Sequence, residues 1–423
     1  MTEIRSFADV HTVLERYVPT SRSMSAPYTL ERMQKLMTAL GNPQNSLKVI
    51  HVAGTSGKTS TSYYIAAMLK AAGKKTGLTV SPHIDEVNER LQIDLKPVPE
   101  ATYCRALTEF IDVVAKTDIK PTYFELLVAL AYWYFARQQV DYAVIEVGLG
   151  GLLDGTNVVN RTDKVCVITD IGLDHTSVLG KTLPEITSQK AGIIHPHNAV
   201  FCYQQGTEVM NVIREVSRQQ QAELHEVRNP SAEQLPSNLP LYQQRNWFLA
   251  KHVYEYVVQR DNLREINAKD LQKATTVLIP ARMEIVKQPG HILVIDGAHN
   301  AQKLAALGAS LDNDYSGQEI AVLFNLVQSS RLRLRTSLKA LVGFTDYLIV
   351  TSFETQQDFL RQSMNPRKVV EACHELGFTR VEVIMDPAEA YKALLKRPES
   401  VHVVTGSFYL LNHIRPLIFT AKA

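Results

Sequence analysis

The stretch VIHVAGTSGKTSTSYYIAAMLKAAG, residues 49–73, constrains the fold of this chain more than any other. Its apolar start predicts a buried strand, and its second half predicts a helix. Between them lies a turn with Gly54 and Gly57, followed at once by Lys58. A strand, a glycine-rich turn and a helix in this order let backbone N–H groups converge on phosphate oxygens. The stretch therefore predicts a nucleotide-phosphate cradle in an α/β domain with a parallel sheet.

The loop residues predict which part of a nucleotide each one binds. Lys58 can reach the outer phosphates, and the hydroxyl of Thr59 or of Ser60 can hold Mg²⁺. The usual loop has a glycine five positions before its Gly-Lys pair, where this chain has Val52, so the loop has the shorter G-T-x-G-K-T-S form. We predict that ATP is bound by the loop residues Gly54, Thr55, Ser56, Gly57, Lys58, Thr59 and Ser60.

Length and composition narrow the class of protein. At 423 residues the chain exceeds the usual size of a single hydrophobic core, so two domains are expected. The formal net charge of +2 gives no reason to expect nucleic acid or an anionic membrane as a partner. The longest apolar run, residues 126–136, is well short of the roughly 20 residues that a membrane span needs. We therefore expect no nucleic-acid and no membrane partner.

The cysteines and the N-terminus predict the compartment. The four cysteines are far apart and form no C-x-x-C pair, which favours a reducing compartment over a zinc or disulfide framework. The N-terminal sequence MTEIRSFADVHTVLER has acidic residues and no apolar core, unlike a secretory signal. We expect a cytoplasmic protein. No sequence feature decides the oligomeric state, and we take the protein to be a monomer.

Strand and helix patterns alternate over the first two thirds of the chain. The first 45 residues or so are predicted to be helical. Long helical segments then separate short apolar, β-branched runs at residues 49–52, 78–80, 142–147 and 165–169. This alternation predicts a parallel sheet with crossover helices. The proline-containing segment 228–245 is predicted to be a loop rather than a domain border, and a helix is predicted from Asn246 to about Arg260.

A second alternation begins after Pro280. Four helical segments, among them 367–376 and 387–395, separate predicted strands at residues 292–295, 320–324, 347–351, 381–384 and 401–405. Five strands and four helices in this length predict a smaller, Rossmann-like C-terminal domain. We place the boundary near Glu284, which gives an ATP-binding domain at 1–284 and a C-terminal domain at 285–423.

Polar side chains follow the strands of the first predicted sheet. Glu146 ends the run 142–147, Ser81 follows the run 78–80, and His175 follows the run 165–169. Ligands of parallel α/β sheets bind at the carboxyl ends of the strands, and oxygen ligands suit Mg²⁺. These side chains therefore predict a metal site beside the phosphate loop. The stretch EVGLGGLLDGTN has Leu153 where a dinucleotide fingerprint needs Gly or Ala, which disfavours NAD.

Seven motifs in order resemble a known family. They are GTSGKTS, EVGLGGLLDGTN, DIGLDHTSVLG, the tripeptide KAG at 190–192, PARME, DGAHN and TGSFYL. The chain resembles the Mur-ligase superfamily, and most closely folylpolyglutamate synthase/dihydrofolate synthase, from about residue 28 to the C-terminus. The resemblance implies that an acceptor carboxylate attacks the γ-phosphate of ATP to give an acyl phosphate. The amine of L-glutamate then displaces phosphate, which gives an amide and ADP.

The resemblance also implies a role for individual residues. Lys58 binds phosphate, while Ser81, Glu146 and His175 hold Mg²⁺. Lys190 matches a carbamylated lysine whose added carboxylate helps to hold a metal, so a second divalent or a monovalent cation stays an open alternative.

Nucleotide contacts are implied for Asn246 and Arg282. Asp296, His299 and Ser407 match residues that close on the nucleotide and position glutamate, although helix caps are the alternative for Asp296 and Ser407. The segment Thr122, Tyr123, Phe124 and Glu125 matches a stretch near the pterin pocket, where the aromatic residues could equally be core.

The chain departs from the family pattern at several positions. Thr59 gives the G-K-T-S form usual in cell-wall Mur ligases, and Leu152 replaces an arginine. Gly155 replaces an alanine, and Gln189 stands where a glutamate usually precedes the carbamylated lysine. Polar residues in NLVQSSR replace a Lys-Asp pair. These departures leave the details of the acceptor site open.

The leading prediction is an ATP-dependent ligase that adds L-glutamate to a folate or to dihydropteroate. A cell-wall Mur ligase is the first alternative, and the early position of the phosphate loop leaves little room for its additional N-terminal domain. A P-loop kinase is disfavoured, because it needs no second domain with DGAHN and TGSFYL. An ATP-binding protein that has lost ligation is the last alternative.

Overall fold

The computed structural model of this chain describes residues 4–18, 29–355 and 361–419. The chain divides into two units, Met1–Pro236 with Arg245–Val277 and Ser237–Gln244 with Leu278–Ala423. The predicted boundary at Glu284 therefore lies six residues beyond the observed one at Leu278. Segment 228–245, predicted to be no domain border, contains the first passage into the second unit.

The first unit is built on an eight-stranded sheet of order β4-β3-β2-β5-β1-β6-β7-β8. Strands β2, β5, β1, β6, β7 and β8 run parallel, and the short β3 and β4 add an antiparallel edge. The predicted runs are all confirmed as strands, whereas β3, β4, β7 and β8 were not predicted. The strands are β1 (Lys48–Ala53), β2 (Thr76–Thr79), β3 (Gln92–Ile93), β4 (Lys96–Pro97), β5 (Tyr142–Glu146), β6 (Val165–Ile168), β7 (Ala199–Tyr203) and β8 (Glu223–Val227).

Helices cover both faces of this sheet. Residues 126–135 of the long apolar run are buried in one helix, which confirms a core helix there. The predicted helical start is confirmed by two helices, although residues 19–28 between them lie outside the described part of the chain. The helices are α1 (Phe7–Glu15), α2 (Glu31–Ala39), α3 (Lys58–Ala71), α4 (Glu100–Val114), α5 (Tyr123–Arg137), α6 (Thr176–Leu179), α7 (Leu183–Ala191), α8 (Thr207–Gln219), α9 (Leu241–Asp261) and α10 (Ala268–Ala274).

Helix α9 begins five residues before the predicted start at Asn246. The backbone N–H groups of Gln243 and Gln244 both donate to the carbonyl oxygen of Pro240, at 2.8 and 3.0 Å. Proline is well tolerated just before or at the first turn of a helix, because the N–H that it lacks would have no acceptor there. Pro240 therefore marks the start of α9, and the prediction of a loop to residue 245 was wrong over its last five positions.

The second unit contains a six-stranded sheet of order β15-β12-β11-β16-β10-β9. Its first five strands run parallel, as predicted, and β9 pairs antiparallel with β10. The five predicted strands are confirmed within one residue at each end, whereas β9 and the small hairpin β13–β14 were not predicted. The strands are β9 (Glu284–Gln288), β10 (His291–Ile295), β11 (Ile320–Phe324), β12 (Tyr347–Val350), β13 (Glu354–Thr355), β14 (Arg361–Gln362), β15 (Val381–Val383) and β16 (Val401–Thr405).

The helices of the second unit begin at capping side chains. Asp386 caps one of them by accepting a hydrogen bond from the Glu389 N–H at 2.9 Å, with Pro387 in the first turn. Within the described residues no helix is both long enough and apolar enough to cross a membrane. The helices are α11 (Ala301–Asp314), α12 (Arg331–Leu341), α13 (Pro366–Glu375), α14 (Pro387–Leu394) and α15 (Phe408–Phe419).

Candidate active site

Three parallel strands bring the predicted phosphate-loop and metal-site residues to one edge of the first sheet. Strand β1 lies between β5 and β6, and its carboxyl end continues into the phosphate loop. A side chain at Gly54 would overlap the Thr169 hydroxyl, and one at Gly57 would overlap the Asn246 amide. Gly57 also has a φ of 89°, which glycine adopts without strain. The loop therefore needs glycine at both positions.

The phosphate loop is held from the neighbouring strand by Asp170, the second residue after β6. The backbone N–H groups of Thr55 and Ser56 donate to the Asp170 carbonyl oxygen, at 2.8 and 3.1 Å. The Asp170 carboxylate accepts two hydrogen bonds from Arg245 of α9, at 2.9 and 3.1 Å. Neither Asp170 nor Arg245 was predicted as a site residue. These contacts join residues 75 positions apart, so no local motif indicated them.

Glu146, the last residue of β5, gathers two of the predicted metal-site residues. Its carboxylate accepts hydrogen bonds from the Thr59 hydroxyl at 2.9 Å and from the Ser81 N–H at 3.2 Å. Glu146 is only 3% exposed, and Ser60 is 1% exposed in the helix. Thr59 rather than Ser60 thus directs its hydroxyl to this carboxylate. A hydroxyl and a buried carboxylate beside a phosphate loop fit Mg²⁺, which takes one or two protein oxygens and completes its shell with phosphate and water.

His175 and Lys190 occupy different positions relative to this carboxylate. The His175 ring is about half exposed, and its Nε2 atom lies 3.9 Å from an Asp174 carboxylate oxygen. Lys190 is 5% exposed, and its ammonium donates to the Gly54 carbonyl oxygen at 2.8 Å. Lys190 is therefore a buried residue in contact with the phosphate loop rather than a lysine on the surface. Metal ligation by His175 and carbamylation of Lys190 remain predictions.

The predicted acceptor segment at the start of α5 has three structural residues and one that faces a cavity. The side chains of Thr122 and Glu125 cap the helix reciprocally, and Glu125 also pairs with Arg32 at 2.7 Å. Tyr123 is buried in the core. Phe124 is partly exposed and lines a small cavity that also borders Ser81 and Glu146. Of the four residues, Phe124 is the one whose side chain shares this cavity with the predicted metal site.

A buried polar chain that the sequence analysis missed supports the loop after β5. The Asp154 carboxylate accepts hydrogen bonds from the Leu149 N–H at 2.7 Å and from the Thr156 hydroxyl at 2.5 Å. The same hydroxyl lies 2.8 Å from Nε2 of His51, in the middle of β1. Burial raises the pKa of Asp154 and lowers that of His51 well below its usual value. His51 is thus neutral, and its Nε2–H donates to the hydroxyl that donates to Asp154.

In the second unit, Asp296 follows β10 and organises the turn before β9. Its carboxylate accepts hydrogen bonds from the Tyr242 hydroxyl at 2.6 Å and from the N–H groups of Met283 and Ala298 at 2.8 Å each. Burial raises the pKa of Asp296, although these hydrogen bonds and the charge of Arg282 act in the opposite direction. Asn300, not Asp296, caps α11, so the cap alternative for Asp296 was wrong.

Arg282 and His299 pack against the ring of Phe408, the residue that follows Ser407 in the chain. The Arg282 guanidinium lies 4.3 Å from the centre of the Phe408 ring, and the His299 ring packs edge-on against it at 5.5 Å. His299 also contacts the Lys303 ammonium at 3.0 Å through its Nε2 atom. Ser407 is buried, and its hydroxyl oxygen accepts the Tyr409 N–H at the start of α15, as expected for a cap. The structure thus brings Arg282 and His299 together at one ring, while Ser407 caps the helix that begins with that ring's residue.

Family comparisons agree with this architecture. Residues 52–235 match the family described as the Mur ligase middle domain, and residues 281–408 match the Mur ligase, glutamate ligase domain. Fold and site thus define a Mur ligase, in which a phosphate-loop domain precedes a second α/β domain. This result confirms the resemblance and the fold class predicted from the sequence.

Two curated relatives and one solved structure narrow the family. The chain is 30% identical to dihydrofolate synthetase of Saccharomyces cerevisiae over 92% of this chain and 98% of the relative. It is 32% identical to folylpolyglutamate synthase of Lacticaseibacillus casei, covering 93% and 95%. The E. coli FolC structure in complex with DHPP and ADP superimposes with a TM-score of 0.84 at 25% identity, covering 100% of both chains. The chain belongs to the folylpolyglutamate synthase/dihydrofolate synthase family.

Proposed function

We propose that this protein is an ATP-dependent, ADP-forming ligase that adds L-glutamate to a folate, to dihydropteroate or to both. The observation that carries the proposal is the edge of the first sheet, where the phosphate loop, the Thr59 hydroxyl and the buried Glu146 carboxylate meet. ATP, when bound there, supplies the phosphoryl group that activates the acceptor carboxylate for displacement by the amine of glutamate.

The residues divide this task by charge and position. Lys58 and the N–H groups at the start of α3 bind the phosphates, and Glu146 and Thr59 hold the divalent cation. Phe124 forms a wall of the cavity next to them and is proposed to contact the acceptor. Because an anionic acceptor must approach an anionic nucleotide, fixed cations supply most of the catalysis. In the second unit, Arg282 and Asp296 are proposed to contact the nucleotide, and His299 and Ser407 the incoming glutamate.

Phosphate release from ATP in the presence of Mg²⁺ and L-glutamate tests the proposal. We expect release when dihydropteroate or tetrahydrofolate is the acceptor and none with a UDP-muramyl acceptor. Release with the UDP-muramyl acceptor alone would instead identify a cell-wall ligase. ATP binding without release for every acceptor would identify a protein that has lost ligation, an alternative raised by Leu152, which is 41% exposed in place of an arginine.

Replacing Lys58 tests the nucleotide part separately. We expect Lys58→Ala to lower the rate of phosphate release by about 100-fold or more, because an ammonium that neutralises charge on the outer phosphates is lost. Circular dichroism and the melting temperature control for folding. A folded variant with a rate within a few-fold of the unmodified protein would remove Lys58 from the site.

The cellular location and the oligomeric state complete the proposal. We propose a cytoplasmic location, which is supported by four cysteines that are all buried and free of disulfides. We also propose a monomer, because the residues assigned to the reaction all come from one chain. Sedimentation equilibrium of the purified protein tests this, and a stable dimer at micromolar concentration would contradict it.

A further inference from the structure

Two backbone N–H groups of the phosphate loop are hydrogen-bonded within the protein rather than directed at a ligand. The N–H groups of Thr55 and Ser56 both donate to the Asp170 carbonyl oxygen. The first N–H groups of α3 have no acceptor within the helix, as at every helix start. The N–H groups around Lys58 and Thr59, at the start of α3, are thus the expected phosphate donors. Asp170 fixes the turn that directs them.

The residue that fixes this turn carries a negative charge next to a site for a polyanion. Asp170 is held by backbone contact against the loop, so its carboxylate cannot move far from it. Bound ATP brings several negative charges to the same loop, and like charges at short range disfavour binding. An uncompensated carboxylate at this position would therefore weaken nucleotide binding.

Arg245 compensates the charge of the Asp170 carboxylate. The contacts of the Arg245 guanidinium leave it little freedom to move. Its Nε and one terminal nitrogen bind the two carboxylate oxygens of Asp170, at 3.1 and 2.9 Å. The other terminal nitrogen donates to the Asn229 side-chain oxygen at 2.6 Å, and the guanidinium lies 3.8 Å from the centre of the Tyr203 ring. Both members of the pair are only about 30% exposed, at 31% and 28%. A bidentate pair with these supports is much stronger than an ordinary surface ion pair.

We propose that Arg245 is a positioning residue for nucleotide binding, which cancels the charge of the Asp170 carboxylate so that the phosphate loop accepts a polyanion. Arg245 acts through Asp170 and does not itself contact the phosphates. Its neighbour Asn246 packs against Gly57, so one turn of α9 holds the loop at two points. The inference rests on the proposed function only in that a nucleotide binds at this loop.

Titration calorimetry with Mg²⁺ and the non-hydrolysable analogue AMPPNP tests the charge role, because it requires no turnover. Arg245→Gln leaves the Asp170 carboxylate uncompensated, so we expect the dissociation constant to rise by about tenfold or more. Asp170→Asn removes the negative charge and leaves the guanidinium, so it is expected to bind at least as tightly as the unmodified protein. The double variant is expected to recover most of the affinity that Arg245→Gln loses.

A matched control and a kinetic readout separate this role from simple stabilisation. Arg214 binds Glu226 through the same two-point geometry, at 2.7 Å for both contacts, away from the loop, and Arg214→Gln is expected to leave the AMPPNP affinity unchanged. In turnover, Arg245→Gln is expected to raise KM for ATP while KM for the acceptor stays within twofold. The affinity loss is also expected to shrink at high salt, as Coulombic terms do.

The outcomes are distinguishable. Unchanged affinity in Arg245→Gln overturns the proposal, and so does a loss that the double variant fails to recover. A tenfold loss in Asp170→Asn overturns it as well, and this variant decides the matter if Arg245→Gln does not fold. If the unmodified protein binds neither AMPPNP nor ADP, the proposed function fails instead.

Discussion

At the scale of single residues, Glu146 connects more parts of the candidate site than any other side chain described above. It ends β5, contacts the first turn of α3 through Thr59 and binds the backbone after β2 at Ser81. Burying a carboxylate costs free energy unless its negative charge is paired. A divalent cation bound beside Glu146 would pair with that charge.

Replacing Glu146 tests this role. Glu146→Gln keeps the shape and an acceptor oxygen but removes the charge, so we expect the Mg²⁺ concentration for half-maximal activity to rise by about tenfold. Titrating Mg²⁺ in the phosphate-release assay measures the change. Glu215→Gln, at an exposed carboxylate that pairs with Arg218, is the control and should change nothing. An unchanged Mg²⁺ dependence in Glu146→Gln would remove this residue from the metal site.

Lys190 carries a second residue-scale prediction. A carbamate forms on the neutral amine, so lower pH and removal of bicarbonate should both reduce activity. We expect Lys190→Ala to lose most activity and to regain part of it with acetate or formate, which replace the missing carboxylate. Lys58→Ala is the control, since a small anion cannot replace an ammonium group. Rescue of neither variant, with activity independent of bicarbonate, would show that Lys190 acts as an unmodified lysine.

Sequence reasoning found the residues whose signal is local and missed those joined through the fold. Lys58 and Thr59 follow a strand and a glycine turn within a few positions, and Glu146 ends a recognisable β-branched run. Asp170 and Arg245 meet across 75 positions, and His51 and Thr156 across 105. Nothing near either residue in the sequence marks such a pair, because the contact exists only once the strands are paired.

At the scale of elements, local patterns predicted most of the parallel strands, but not β7, β8 or the antiparallel strands β3, β4 and β9. The runs 320–324 and 401–405 are rich in β-branched and apolar residues and are buried on both faces, so their bounds were predicted correctly. Strand β9 was missed because it has no continuous apolar run like those of the predicted strands; its residues alternate between buried and exposed. The Pro289-Gly290 turn between two alternating runs, with Gly290 at a φ of 84°, is the signal that could have found this hairpin.

Strand β16 carries an element-scale prediction about acid stability. His402 is fully buried and its ring lies 4.2 Å from that of His291 on β10, with Glu399 and Arg397 close by in the chain. Burial lowers the pKa of His402 from 6.5 to about 4. Below pH 6.5 the unfolded chain therefore binds a proton that the folded chain does not, so the free energy of unfolding falls as the pH drops from about 6.5 to about 4.

Urea unfolding at several pH values measures this effect. We expect the midpoint to fall between pH 7.5 and pH 5, and to fall less steeply in His402→Gln than in the unmodified protein. The slope does not vanish, because burial also lowers the pKa of His51 and His195. His374→Gln, at an exposed position on α13, should keep the original slope. Equal slopes in all three proteins would contradict an uncharged, buried His402.

At the scale of the whole molecule, the chain passes between its two units three times. It leaves the first unit after Pro236, returns at Arg245 within α9 and leaves again after Val277. No single cut therefore separates the units, which explains why one predicted boundary at Glu284 could not describe the division. Composition and strand patterns locate domains only when each domain is one continuous stretch.

Hydrogen exchange tests whether both units respond to one nucleotide. We expect Mg²⁺ with AMPPNP to slow exchange in peptides covering residues 54–60, where the loop N–H groups become hydrogen-bonded. Because Arg282 and Asp296 are predicted nucleotide residues, peptides covering 282–299 should also exchange more slowly. Peptides from 381–399 serve as the control within the second unit. Protection confined to residues 54–60 would exclude Arg282 and Asp296 as nucleotide contacts.

The four buried cysteines have a practical consequence for spectroscopy. Burial raises the pKa of Cys104, and raises those of Cys166, Cys202 and Cys373 to about 11, 12 and 12, so none of these thiols is ionised or accessible at neutral pH. A maleimide dye should therefore not label the native chain. Lys269→Cys on α10 and Arg367→Cys on α13 would place one dye on each unit without removing any native cysteine. Single-molecule energy transfer between these dyes would then follow the distance between the units during turnover.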